Sequence, residues 1–335
     1  MSLFSSLSQI YLVSSWRAGV VIALALALFS PALAAGALTG AVLGIACHVV
    51  FSWWRRWSPR LTGTAPAVTA IDAPFTQRAR SGLLGYNGAL IGALVLTRCE
   101  WTMAALVWML LGVLGAVAVQ VPLERFLACC PGTAGLPVLT APFCAMGTVL
   151  SLTLPAAVAA PPAGEMSLGF ALLGIPAAFA QVSLGSGWLV GLLILVALAN
   201  AVPRTAAWGT GAAALTLPVL FWIPVVDFAS GAWSYCAALV GIAVGATFTG
   251  EPDRAVNRAA GPAATSAGGS VDRGADRSMR GTGVWRHRVI PVMAAVALAL
   301  LIQAAFLWAG WPVLTWPFVI STWAVLIVQG LRYGR

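Results

Sequence analysis

Six polar side chains stand out from the apolar background of this 335-residue chain, and they come in like pairs: Gln9 and Gln181, Tyr86 and Tyr235, Thr140 and Thr315. Amide carbonyls and hydroxyls accept hydrogen bonds. With hydrophobic neighbours on every side, they suit the holding or passage of a small polar solute better than its conversion. Tyr86 and Leu90 lie four residues apart and share one helix face, as do Tyr235 and Leu239, so each pair can wall a slot. Each polar residue also has a plain structural use. Thr140 and Thr315, two residues before Pro142 and Pro317, can satisfy carbonyls that a proline releases. Tyrosines at helix starts can anchor at a membrane interface, and glutamines can join helices by hydrogen bonds.

The elements that must position these residues are membrane helices. The chain is 60% hydrophobic and 8% charged with a mean hydropathy of +0.94, whereas about a quarter of a soluble domain is charged. Its apolar residues suffice for ~10 bilayer crossings at about 20 residues each. Apolar stretches predict helices near 17–34, 36–54, 83–97, 101–121, 138–160, 186–202, 205–226, 231–248, 289–308 and 311–331. Two shorter segments, 3–14 and 167–183, are too short to cross and read as re-entrant half-helices. Loops 55–80 and 249–288 are polar and rich in Pro, Gly, Ala and Arg, as flexible connections are.

Net charge +9 points away from nucleic acid and toward topology, because the basic residues are all arginines in short loops. With ten crossings, arginines from Arg55 to Arg335 gather on one face, leaving Arg98 on the other and Arg17 ambiguous. The positive-inside rule makes that face cytoplasmic and places both termini there, in an inner (plasma) membrane. The first 35 residues also offer a signal-peptide reading, with Arg17, Gly19–Phe29 and Ala32-Leu33-Ala34; cleavage there would remove Gln9. Six cysteines without C-x-x-C spacing and two histidines, His48 and His287, without H-E-x-x-H indicate neither disulfide nor metal, and no cofactor or catalytic arrangement is expected.

Comparison of the chain with itself uncovers a repeat. Gln9 to Gly19 aligns with Gln181 to Gly191 on Q-x-x-L-x-S-x-W-x-x-G; Tyr86 to Gly92 aligns with Tyr235 to Gly241; Leu139-Thr140-Ala141-Pro142-Phe143 aligns with Leu314-Thr315-Trp316-Pro317-Phe318. The offsets are 172, 149 and 175, and loop insertions account for the drift. Five crossings per half is an odd number, so the second half enters from the opposite side. We therefore expect an all-α membrane protein of two inverted repeats, 1–165 and 166–335, with a pore at their interface.

The segments Gly82-Leu83-Leu84-Gly85-Tyr86-Asn87-Gly88-Ala89-Leu90-Ile91-Gly92 and Leu139-Thr140-Ala141-Pro142-Phe143, echoed at 314–318, resemble the urea transporter family. The resemblance implies a homotrimer of ten-helix protomers, each passing urea passively through its own filter of apolar slots and oxygen atoms. Carried over by position, it implies glutamines Gln9 and Gln181 with apolar neighbours Ile10 and Val182. It implies slot residues Tyr86, Leu90, Tyr235 and Leu239, and filter threonines Thr140 and Thr315. Urea is planar and neutral with four N–H donors, and each donor left unmet in a dry filter costs about 1–3 kcal/mol. Acceptors along its edge and apolar walls against its faces answer that cost.

Where the family has a second slot aromatic, this chain has Leu12 and Leu184, and Ser234-Tyr235-Cys236 replaces Gly-Phe-Asn. These departures raise ammonia or short amides as alternative solutes on the same scaffold. Ion coupling is disfavoured, since Asp72, Glu124, Glu165, Glu251, Asp253, Asp272 and Asp276 read as loop or end residues and Glu100 and Asp227 as outer-edge ones.

Overall fold

The computed structural model describes residues 2–62, 78, 81–129, 133, 136–155, 168–248 and 280–330. Among the described residues the regular structure is entirely helical: α1 Ser2–Gln9, α2 Trp16–Phe29, α3 Pro31–Thr62, α4 Tyr86–Leu96, α5 Met103–Cys129, α6 Ala141–Thr153, α7 Leu168–Ala171, α8 Gly174–Val182, α9 Trp188–Ala201, α10 Pro203–Ala214, α11 Val225–Ala229, α12 Tyr235–Val240, α13 Arg280–Trp308 and α14 Trp316–Val328. Short 3₁₀ and π segments, Leu217–Phe221 and Gly241–Thr247, precede α11 and extend α12. Residues 249–279 of the loop expected to be flexible lie outside the described residues.

Three helices, Pro31–Trp54, Met103–Cys129 and Arg288–Trp308, are long and apolar enough to cross a bilayer unaided, and seven apolar helices are shorter, at 10–17 residues. Leu28, Met103, Leu152, Leu301 and Trp308 are exposed, the surface of a chain whose solvent is lipid.

Several boundaries differ from the sequence expectation. The first two crossings part at Ser30-Pro31, five residues early, because Ser30 takes an extended conformation and its hydroxyl caps Leu33 N at 3.2 Å while Pro31 opens α3. The crossing expected at 205–226 breaks after Ala214, with Pro218 in a 3₁₀ turn. Conversely, α5 runs through Pro122 to Cys129, which puts Glu124 on a helix and not in a loop.

Helices α3 and α4 meet along glycines. A Cβ at Gly40 would lie 2.0 Å from Gly88 O, and one at Gly92 would lie 2.0 Å from Gly36 O. Backbones this close are a membrane protein's substitute for hydrophobic drive, since lipid tails are as apolar as any side chain.

The repeated sequence segments share several local turns. Helices α1 and α8 are each followed within three residues by a leucine in the left-handed region, Leu12 at φ 57° and Leu184 at φ 61°. Each end is closed by a bond from the residue beyond, Val13 N to Ser8 O at 3.2 Å and Gly185 N to Ala180 O at 2.9 Å. Leu139 and Leu314, before α6 and α14, share that conformation. Left-handed leucines cost about 1–3 kcal/mol apiece and persist where the surroundings over-determine them.

Candidate functional site

The paired residues converge from helix ends. Thr140 and Thr315 are the N-caps of α6 and α14, 4% and 3% exposed, and their hydroxyl oxygens lie 2.8 Å apart. Cys144 Sγ, one turn into α6, is 3.0 Å from Thr315 Oγ1. The threonine hydroxyls thus meet each other across the two halves rather than capping a carbonyl left by proline.

Tyr86 and Tyr235 open α4 and α12. Each donates its hydroxyl to the carbonyl just before its own half's threonine, Tyr86 to Leu139 O and Tyr235 to Leu314 O. That internal bond, with Tyr86 buried, excludes a role as headgroup anchors. Leu90 and Leu239, one turn on, are buried in the same core, beside Ile10 and Val182. Tyr11, next to Ile10, reaches across to Phe179 O at 2.5 Å and Ser183 Oγ at 3.1 Å. Ser183 is its own counterpart in the second half.

The glutamines are half-buried at the ends of α1 and α8. Ser14 Oγ lies 3.0 Å from Gln9 Oε1, and Gln181 Nε2 donates to Ser230 O at 3.2 Å. A cavity of about 490 Å³ brings together Gln181, Val182, Leu184, Tyr235 and Thr315 from the expected set, with Phe143 from the first half. Gln9, Ile10, Leu12, Tyr86, Leu90, Thr140 and Leu239 are off its wall, though Thr140 touches Thr315 directly.

The same wall carries Gln303, which motif reading missed. It is 3% exposed; Nε2 donates to Ala232 O at 2.8 Å, and Oε1 is buried without a partner. A lone amide in the apolar stretch 289–308 was the available signal. Asp227, also on the wall, stands on α11. Glu124 accepts from Gln120 Nε2 at 2.9 Å and pairs with Arg78 at 3.6 Å. His48 Nδ1 is 2.9 Å from Gly44 O, a contact within its own helix.

Buried acceptors that meet at helix ends inside an apolar helical bundle, with a cavity leading to them, define a membrane transport protein. The sequence model of the urea transporter family matches residues 1–71 and 52–268. That is well over half of the chain, and the chain belongs to the urea transporter family, a family of transporters and not of enzymes. No curated protein matches it. Thr315 lies beyond the matched stretches, so its place in the site rests on its contact with Thr140.

Proposed function

We propose that the protein passes urea passively through a narrow filter centred on Thr140 and Thr315. The filter lies between two inverted halves, 1–165 and 166–335, that together make ten crossings, with both termini cytoplasmic in the inner membrane of the cell. The carrying observation is the 2.8 Å contact between those two buried hydroxyls, residues from the same place in each half. Under a twofold relation, equivalent residues touch only on the axis, and inverted repeats put that axis at the bilayer midplane, where transport sites lie. Tyr11 and Ser183 touch in the same way and support a second point on it.

The filter's chemistry follows from what each side chain leaves free. The tyrosine hydroxyls are committed to Leu139 O and Leu314 O, so the rings stand fixed beside the threonines as flat walls. Gln181 holds its place with its nitrogen, which frees its oxygen to accept from a solute N–H. The apolar helices shorter than a bilayer fit a passage whose ends are built from unwound segments that line a cavity. We read the protomer as one of three in a homotrimer, each with its own passage.

Stopped-flow measurement of urea entry into vesicles holding the purified protein tests this reading. We expect saturating urea flux down its gradient; uphill movement driven by an imposed pH or sodium gradient would reject passive transport. Leu184 on the cavity wall, in place of an aromatic, supports a wider slot that admits ammonia or short amides as well. Competition of acetamide and formamide against labelled urea separates the two.

A further inference from the structure

The two glutamines are not held alike, and the difference gives work to a residue outside the filter. Ser81 and Ser230 occupy equivalent places, 149 residues apart. Each turns its hydroxyl to the carbonyl three residues earlier, Ser81 to Arg78 O at 3.0 Å and Ser230 to Asp227 O at 2.7 Å. In the second half Gln181 Nε2 donates directly to Ser230 O. In the first half the equivalent carbonyl, Ser81 O, is met by Ser14, whose Oγ lies 3.3 Å from Ser81 O and 3.0 Å from Gln9 Oε1.

A hydroxyl has one proton and cannot serve two carbonyl oxygens fully. Spent on Gln9 Oε1, that proton occupies one of the two lone pairs the oxygen could offer a solute and leaves Ser81 O unmet. The oxygen and nitrogen of a primary amide differ little in shape and are told apart by what they bond. With the Gln9 amide turned over, Nε2 donates to Ser14 Oγ and Ser14 passes its proton to Ser81 O. One amide N–H and the serine hydroxyl then each have an acceptor, Ser81 O has its donor, and Gln9 Oε1 is free, as Gln181 Oε1 is.

We propose that Ser14 is a positioning residue for Gln9: its hydroxyl relays between the Gln9 amide nitrogen and Ser81 O, so that both glutamines offer a carbonyl oxygen to the solute. The proposal rests on the urea reading above. Ser14 is exposed at the end of a turn, so its side chain can be removed without opening the core.

The test is urea flux through proteoliposomes of the full chain. Loss of one hydrogen bond predicts that Ser14→Ala lowers urea permeability about three- to tenfold, while Ser14→Thr, which keeps the hydroxyl, stays close to the parent. The readout that a merely structural role would not move is coupling. Ser14→Ala added to Gln9→Leu has no further effect, whereas added to Gln181→Leu it produces its full loss. Ser14→Gly serves in place of the alanine variant where that protein does not assemble. Parent-like flux in Ser14→Ala, or the same added loss in both glutamine backgrounds, overturns the relay and leaves urea transport standing. Parent vesicles impermeable to urea overturn the urea reading and the relay together.

Discussion

The surroundings of Arg78 and Asp227 start from one plan and end with opposite charge. Arg78 and Asp227 occupy equivalent places, each three residues before the serine that bonds its carbonyl. Arg78 is paired with Glu124, which also takes the amide of Gln120. Asp227 instead stands on an open cavity with Gln303, whose oxygen has no partner. Deeper in, the bond from tyrosine to leucine carbonyl is made twice, once in each half, and the equivalent threonines meet each other, although Cys144 reaches Thr315 without a mirrored contact among the described residues. The tyrosine bonds and the threonine pair are alike where an unmet polar atom would be costly, whereas Arg78 and Asp227 differ where the surroundings are less buried.

The sharpest break in that comparison is expected at Gly88. A Cβ there would lie 2.2 Å from Gly40 O, a backbone atom that cannot swing aside. Its second-half equivalent, Ala237, already carries a Cβ within the core. Gly88→Leu must push α3 and α4 apart and should yield little or no folded protein by size-exclusion chromatography. Ala237→Gly should assemble normally, at a stability cost of ~1 kcal/mol. Equal tolerance at the two sites would mean that the halves pack alike after all.

At the centre the comparison predicts equality. Thr140→Val and Thr315→Val each keep the shape and remove one member of the hydroxyl pair, so each should lower urea flux by roughly tenfold without loss of assembly, given ~1–3 kcal/mol for a buried acceptor left unmet. Stopped-flow rates for the two variants side by side check this. A wide disparity between them would move the filter away from the axis.

How far these contacts could be read beforehand varies with their physics. The glutamine, tyrosine and threonine pairs were legible because a polar atom in so apolar a chain has few places to go, and a repeat doubles each signal. The break at Ser30-Pro31 was lost to a hydropathy average that runs straight over a cap. Pro122 misled in the other direction, since a helix can forgo one hydrogen bond and continue to Cys129. The four left-handed leucines, Leu12, Leu139, Leu184 and Leu314, could not be foreseen, because turn chemistry assigns that conformation to glycine and asparagine. Gln303 was passed over because it stands outside the three repeated segments.

That residue gives the next effect in size. Gln303→Leu removes both an orphaned carbonyl and the donor to Ala232 O, so stability should fall by about 1–3 kcal/mol with assembly retained, and urea flux should fall about threefold. Gln120→Leu should leave flux nearly unchanged, because the Gln120 amide is directed to Glu124. Parallel flux measurements on the two leucine variants would sharpen the contrast between the Arg78 and Asp227 sides. Equal losses would show that both amides face the solute.

The smallest effect is expected where charge is most visible. The Arg78 and Glu124 side chains are 32% and 22% exposed and sit 3.6 Å apart, a geometry in which screening and side-chain entropy hold the gain to about 1 kcal/mol or less. Glu124→Gln keeps the size and an acceptor for Gln120, so thermal stability should fall only slightly and flux should stay near the parent value. The Arg78 carbonyl accepts from Leu83 N at 3.1 Å and from Ser81 Oγ, backbone-anchored bonds that do not need the ion pair. A severalfold rise in urea permeability in Glu124→Gln would instead mean that the pair obstructs solute passage on the Arg78 side, and the two sides would then differ by more than charge.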